Sequence, residues 1–160
     1  MLRDVCLPRV VTVTVPVRTT NPLNGSHGRW QGKAAKARAV RDAVAWALRP
    51  HPAMSLPVRV TMRRCSSSEM DFDGLCAALK PVRDEVAAWL PLARAKRRGR
   101  VVADDRDPRV TWRYEQGKAR RARKLVAGKV KNVVVHEVVL TVEPWGVAHQ
   151  AAADVGLGDA

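Results

Sequence analysis

The chain is short of acidic residues, and it has no apolar run long enough to cross a membrane. It holds 15 acidic residues against 29 basic ones in 160, a formal net charge of +14 that favours a polyanionic partner. No stretch approaches the ~20 apolar residues of a membrane span. The first residues, MLRDVCLPRVV, lack a signal peptide's apolar run and small-residue cleavage site. We therefore expect a cytoplasmic protein that does not contact membranes.

Cysteine is also scarce, and histidine is scattered. Cys6, Cys65 and Cys76 are odd in number and form no close pair, so neither a disulfide framework nor a structural zinc site is predicted. None of the four histidines has a carboxylate or cysteine at the spacing of a nucleophile and its base. A mechanism driven by histidine is therefore not expected.

The positive charge is concentrated in one part of the chain. Residues 92–131 carry 15 basic and 4 acidic residues, whereas residues 132–160 carry no basic and 4 acidic ones. Such runs neutralise phosphates, although short basic runs are also found as solvated loops. The residues predicted to contact DNA are Arg29, Arg63, Arg94, Lys96, Arg97, Arg98, Arg100, Lys118, Arg120, Arg121, Arg123 and Lys124.

Hydrophobic periodicity predicts four strands and two helices. Alternating β-branched residues indicate strands at 9–17, 57–65, 109–115 and 132–143, and helical spacing indicates helices at about 32–49 and 73–90. Trp46 and Trp89 fall on apolar helix faces and are predicted to lie in the core. The order strand, helix, strand, helix, strand, strand predicts an α+β fold, one mixed four-stranded sheet covered by two helices. One domain, 1–145, is expected, followed by a flexible tail, 146–160.

Two groups of acidic residues stand out against the basic background. Asp71 and Asp73 follow the second predicted strand, and Asp104 and Asp105 precede the third. Mg²⁺ takes one or two carboxylates together with waters and phosphate oxygens, so these residues are candidate ligands. The same aspartates also fit a helix N-cap and a polar turn. Lys80, on the second helix, fits either a phosphate contact or a solvated lysine.

These motifs resemble those of a known nuclease family. Asp71-Phe-Asp73-Gly-Leu75, then Leu79-Lys80-Pro-Val-Arg-Asp84, and then Asp104-Asp105 ahead of a strand are similar in order and spacing to the RusA-type Holliday-junction resolvases. The resemblance covers roughly residues 9–143. It implies that Asp71, Asp73 and Asp105 bind the catalytic metal with Asp104 assisting, and that Lys80 is a catalytic or phosphate-contacting residue.

The resemblance also implies an activity. Members are homodimers of bacteria and their phages that use Mg²⁺, with Mn²⁺ as an alternative ion, to nick four-way or other branched DNA in recombination and repair, with water as the nucleophile. A symmetric dimer matches a two-fold junction. The residues leave a second interpretation open, a non-catalytic basic DNA- or RNA-binding protein of the same fold.

Overall fold

The computed structural model describes residues 9–22, 30–97 and 100–146, and only the backbone of residues 30, 95–97, 100 and 101. Two helices and eight strands follow one another in this part of the chain. They are β1 (Val11–Val15), α1 (Trp30–Leu48), β2 (Val58–Ser66), α2 (Phe72–Trp89), β3 (Arg94–Arg97), β4 (Arg100–Ala103), β5 (Val110–Lys118), β6 (Arg120–Val126), β7 (Lys129–Val135) and β8 (Glu137–Pro144).

Four strands form the central sheet, in the order β1-β8-β2-β5. β8 is antiparallel to both of its neighbours, and β2 pairs in parallel with β5, so the sheet is mixed. The predicted α+β class, with a mixed four-stranded sheet and two helices, is confirmed. β8, the last strand of the described residues, therefore lies in the middle of the sheet.

Alternation along the strands separates a buried face from an open one. Val58, Val60 and Met62 of β2 are fully buried, as are the inward residues of β8, and they pack against α1 and α2. Arg59 lies on the opposite face, where its Nε donates to Glu143 Oε1 at 2.6 Å and its guanidinium stacks over Trp145 at 4.2 Å. The helices therefore cover one face of the sheet and leave a polar face opposite.

The basic runs contain regular structure that the sequence did not predict. β3 pairs with β4, and β6 pairs with β7, as two separate two-stranded hairpins. The predicted strand 132–143 is really two strands, β7 and β8, that meet at His136. The second basic run is itself one strand of a hairpin with a two-residue turn, Ala127-Gly128, so the chain between β5 and β8 is a hairpin, and β5 and β8 are not neighbours in the sheet.

Other expectations have mixed outcomes. Trp46 is 72% exposed, so its predicted place in the core is wrong, whereas Trp89 is partly buried and donates from Nε1 to the His51 carbonyl.

In the part of the chain that the structure describes, no helix is both long and apolar enough to cross a membrane. The predicted tail lies outside the described residues, apart from Gly146.

Candidate active site

The first two candidate carboxylates stand at the beginning of α2. The helix starts at Phe72, one residue before the predicted start, so Asp71 is the N-cap and its Oδ1 accepts a hydrogen bond from the Gly74 amide at 3.0 Å. Asp73 lies in the first turn and is exposed. Both carboxylates thus lie at the positive end of the helix dipole, where negative charge is stabilised.

Two side chains from the sheet hold the loop that leads to Asp71. The Gln116 side-chain amide donates to the Met70 carbonyl at 2.7 Å and accepts from the Met70 amide at 2.9 Å. Arg64, only 4% exposed, donates to Thr19 Oγ1, to Ser66 Oγ and to the Ser68 carbonyl. The bonds of Arg64 satisfy its buried guanidinium. Together with those of Gln116, they hold the loop at Ser68 and at Met70. The position of Asp71 is therefore set by β2 and β5 as well as by its own helix.

Gly74 is a position where a side chain would collide with the site. A Cβ there would lie 2.8 Å from Asn21 Nδ2 and even closer to Asp71 Oδ1. The absence of a Cβ thus lets the loop after β1 pack its Asn21 carboxamide against the first turn of α2. Asn21 belongs to the candidate site for this reason.

Asp105 is brought to α2 by two cationic side chains of that helix. Its Oδ2 lies 3.2 Å from Arg83 Nε and 3.9 Å from Lys80 Nζ, and its carbonyl accepts from Arg83 Nη2 at 2.6 Å. Lys80 Nζ also donates to Asp84 Oδ1, one turn further along α2, at 2.8 Å. The side chains of the lysine and aspartate motif on α2 therefore meet the aspartate loop before β5.

Arg83 is held in turn by aromatic residues of β5. Trp112 and Tyr114 alternate with outward residues and face the helices; the guanidinium lies 4.9 Å from the Trp112 ring and donates to Tyr114 Oη at 2.9 Å. Phe72, between Asp71 and Asp73, is 66% exposed and meets the Tyr114 ring edge-on at 6.0 Å. This chain of contacts joins the start of α2 to the Asp105 loop.

The other acids of that loop have structural partners. Asp104 Oδ1 accepts from the Arg106 amide, which closes the turn. Asp107 is buried, and its carboxylate accepts from the amide and the guanidinium of Arg109. The side-chain hydrogen bond from Arg109, followed by the backbone one, lowers the pKa of Asp107 to about 2. Asp107 thus fits the polar-turn interpretation.

The candidate carboxylates are suitable ligands for Mg²⁺, but they do not form a complete coordination shell around one point. Carboxylate oxygens are the ligands that Mg²⁺ prefers, and the ion needs only one or two of them when waters and phosphate complete its shell. Within the described ranges, however, no three His, Cys, Asp or Glu side chains are grouped closely enough to hold a metal ion. Asp71 and Asp73 would therefore be the primary ligands, and Asp105 is engaged by Arg83.

Neither the protein-family models nor the curated proteins contain a match to this chain. The likeness to the resolvases therefore depends on the quoted motifs and their spacing.

A basic cleft of about 620 Å³ adjoins the site. It runs between α1 and the middle of α2, from Ala77 to Asp84, and Asn21 and Lys80 belong both to its lining and to the candidate site. The basic residues that line it are Arg18, Lys33, Lys36, Arg41 and Lys80. An anionic ligand in this cleft would be attracted by Lys80, whose Nζ also lies 3.9 Å from Asp105 Oδ2.

The predicted DNA-binding residues are spread over three regions. Arg63 is exposed on β2, and its guanidinium packs over Gly117 of β5. The first run forms the β3–β4 hairpin with Arg94 exposed; Arg29 and Arg98 lie outside the described residues. The second run continues from Lys118 at the end of β5 into β6, where its basic side chains are exposed.

Several residues of the site were not identified from the sequence. Arg64 shares the alternation of Val60 and Met62, so its parity in β2 already indicated an inward side chain. Arg83 follows Val82 and lies four residues after Leu79, at the edge of the apolar face of α2. Gln116 carried no such signal, because its role depends on a contact with residue 70.

The thiol of Cys76, on α2, is a poor nucleophile. Burial, and then the charge of Asp73, raise its pKa, although Arg83 acts in the opposite direction.

Proposed function

We propose that this chain is a Mg²⁺-dependent endodeoxyribonuclease that cleaves four-way junctions or other branched DNA. The observation that carries the proposal is that one helix, α2, engages both groups of acids: Asp71 and Asp73 begin the helix, and its Lys80 and Arg83 pair with Asp105. A net charge of +14 supports the proposal, because it would attract the phosphates of a substrate toward carboxylates that could bind a metal ion.

Each group of the site has an assigned task. Asp71 and Asp73 would hold the ion, and the family resemblance adds Asp105 as a third ligand and Asp104 as an assisting residue. A bound Mg²⁺ supplies Lewis-acid activation of a phosphodiester and of water, which is the nucleophile. Lys80, whose side chain is 62% exposed, can move from Asp84 to a phosphate oxygen. A homodimer would present two such sites to a two-fold junction.

The test compares a labelled four-way junction with a linear duplex of the same sequence, in Mg²⁺ and in EDTA. We expect paired nicks near the branch in Mg²⁺ alone. Asp71→Asn should reduce cleavage by on the order of 100-fold or more, because it removes a ligand charge. Asparagine caps helices as well as aspartate, so the variant keeps the start of α2. Binding of the junction in EDTA should be unchanged or tighter, since a negative charge is lost.

Asp42→Asn is the matched control, because Asp42 is an exposed aspartate of α1 outside the carboxylate group. It should cleave like the original chain. Cleavage by Asp71→Asn at the original rate would contradict the metal assignment.

A second candidate is a non-catalytic basic DNA- or RNA-binding protein of the same fold. One observation favours it: the acids of the site already have structural partners, with Asp71 as a cap and Asp105 against Arg83. This candidate predicts salt-sensitive binding with no nicks in Mg²⁺ or Mn²⁺. That outcome would overturn the nuclease proposal.

A further inference from the structure

The β6–β7 hairpin, Arg120–Val135, stands apart from the central sheet. Among the described strands, β6 and β7 pair only with each other, and the bond from the Ala119 amide to the Ser66 carbonyl links the chain to the end of β2 just before the hairpin begins. Each strand has seven residues, so the hairpin is roughly 23 Å long at 3.3 Å per residue. It is thus a two-stranded ribbon that neither helix covers.

The hairpin region is strongly positive. Residues 118–131 contain seven basic residues and no acidic one, and the acid that follows, Glu137, pairs with Arg120 at 3.2 Å. A second copy of the same ribbon would be repelled by this charge, whereas a polyanion would be attracted. Charge complementarity therefore favours nucleic acid as the partner.

The pairing register divides the side chains between two faces of different chemistry. Residues that pair directly share a face. The arginine face carries Arg121, Arg123, Leu125, Val130, Asn132 and Val134, and all six are exposed. The opposite lysine face carries the three lysines of the hairpin, Lys124, Lys129 and Lys131.

Both faces hold groups that a nucleic acid would stabilise. Lys124 and Lys131 are direct partners across the ladder, and like charges in that position repel unless an anion lies near them. On the arginine face, Leu125 and Val130 are paired at the tip and are 70% and 67% exposed. Two large apolar side chains in water beside arginines indicate a surface that is covered in a complex.

We propose that the β6–β7 hairpin docks in the major groove of double-stranded DNA with its arginine face toward the base edges. The major groove of B-form DNA is wide enough for a two-stranded ribbon, and arginine, asparagine and apolar side chains match guanine, adenine and the thymine methyl group there. The lysines of the opposite face reach the phosphates that border the groove. A-form RNA has a deep, narrow major groove that excludes such a ribbon.

This inference deepens the proposed function, because it assigns the hairpin to a double-stranded arm of the branched substrate. The test does not depend on cleavage. A linear duplex of about two helical turns is bound in EDTA, and the reactivity of guanine N7, a major-groove atom, toward dimethyl sulfate is measured. We expect protection by the original chain, and loss of protection with binding weakened on the order of 10–100-fold in Arg121→Ala/Arg123→Ala.

Two further variants separate groove contacts from charge. Arg9→Ala/Arg38→Ala removes two exposed arginines elsewhere and should keep the N7 protection. Arg121→Lys/Arg123→Lys preserves charge but removes bidentate donors, so it should bind the duplex while the N7 protection falls. Unchanged N7 reactivity with the original chain bound, or equal affinity for a matched RNA duplex, would overturn the proposal. N7 protection by a protein that never cleaves would instead contradict only the nuclease assignment.

Discussion

At the scale of single residues, Gly74 is the position where the least change should disturb the candidate site most. A Cβ at Gly74 would meet Asn21 and the capping oxygen of Asp71. Gly74→Ala should therefore disrupt the capping hydrogen bond from the residue 74 amide to Asp71 Oδ1. We expect it to lower the free energy of unfolding by about 0.5–2 kcal/mol, as measured by urea denaturation.

Gly32→Ala is the matched control for that substitution. Gly32 lies in α1 with no atom near its missing Cβ, so alanine should stabilise the helix by about 0.5–1 kcal/mol. If both substitutions stabilised the protein, the tight contact at the start of α2 would be disproved.

Asp107 makes the stability dependent on pH in the acid range. Its pKa is lowered to about 2 in the folded protein by hydrogen bonds from Arg109, against an ordinary value of 3.8. A lowered folded-state pKa stabilises the fold fully above the ordinary value, and this contribution is lost as the pH falls from about 4 through about 2. Asp107→Asn should lower Tm at pH 7 and flatten the fall of Tm in that window. Glu69→Gln, at an exposed carboxylate, should leave the pH profile unchanged. Equal profiles for Asp107→Asn and the original chain would contradict the assignment.

Contacts within the candidate site could be predicted from the sequence only where they are local. Asp71 and Asp73 are two residues apart, and Lys80 and Asp84 are four apart on one helix, so spacing alone placed them together. Arg83 and Gln116 act on residues 22 and 46 positions away. Contacts of that separation depend on the packing of α2 against β5, which no local pattern specifies.

At the scale of elements, the tip of the β6–β7 hairpin has one unfavourable residue. Ala127 and Gly128 have φ values of 50° and 74°, and a two-residue turn with both values positive favours Asn-Gly. Ala127→Asn should stabilise the hairpin and slow amide hydrogen exchange in β6 and β7 by about 2–5-fold. Gly128→Ala is the control: a Cβ at residue 128 would meet no atom, so the variant tests backbone strain alone. We expect faster amide exchange in this variant, because alanine disfavours a positive φ. Slower exchange in Gly128→Ala would contradict this turn geometry.

Patterns at the element scale identified the helices and the sheet strands but not the two hairpins. β6 reads RRARKLV, with no alternation of apolar and polar residues, because neither of its faces packs on the core. β7 and β8 form one valine-rich run, so the change of sheet at His136 leaves no mark in the pattern. Strands outside a core are poorly predicted because burial produces the pattern.

At the scale of the whole molecule, strand order is the feature least accessible from the sequence. The number and type of core elements follow from periodicity, whereas the position of β8 between β1 and β2 follows from pairings across more than 70 residues. Consecutive strands tend to be neighbours, and that tendency would have placed β8 beside β5. The last strand of the described chain is therefore central to the sheet.

The central position of β8 should make its inward residues decisive for stability. Leu140 is fully buried between β1 and β2 and faces both helices. Leu140→Ala should lower the free energy of unfolding by about 2–5 kcal/mol, through lost burial and the cavity left behind. Leu125→Ala makes the same chemical change on the exposed β6–β7 hairpin and should alter stability by no more than about 0.5 kcal/mol. Urea denaturation of both variants checks the burial of Leu140, because equal losses would mean that the inward face of β8 does not lie in the core. Leu125 is also a proposed DNA contact, so the effects on affinity for duplex DNA should be the reverse of the effects on stability. Leu125→Ala should weaken duplex binding, whereas the folded Leu140→Ala protein should bind the duplex like the original chain.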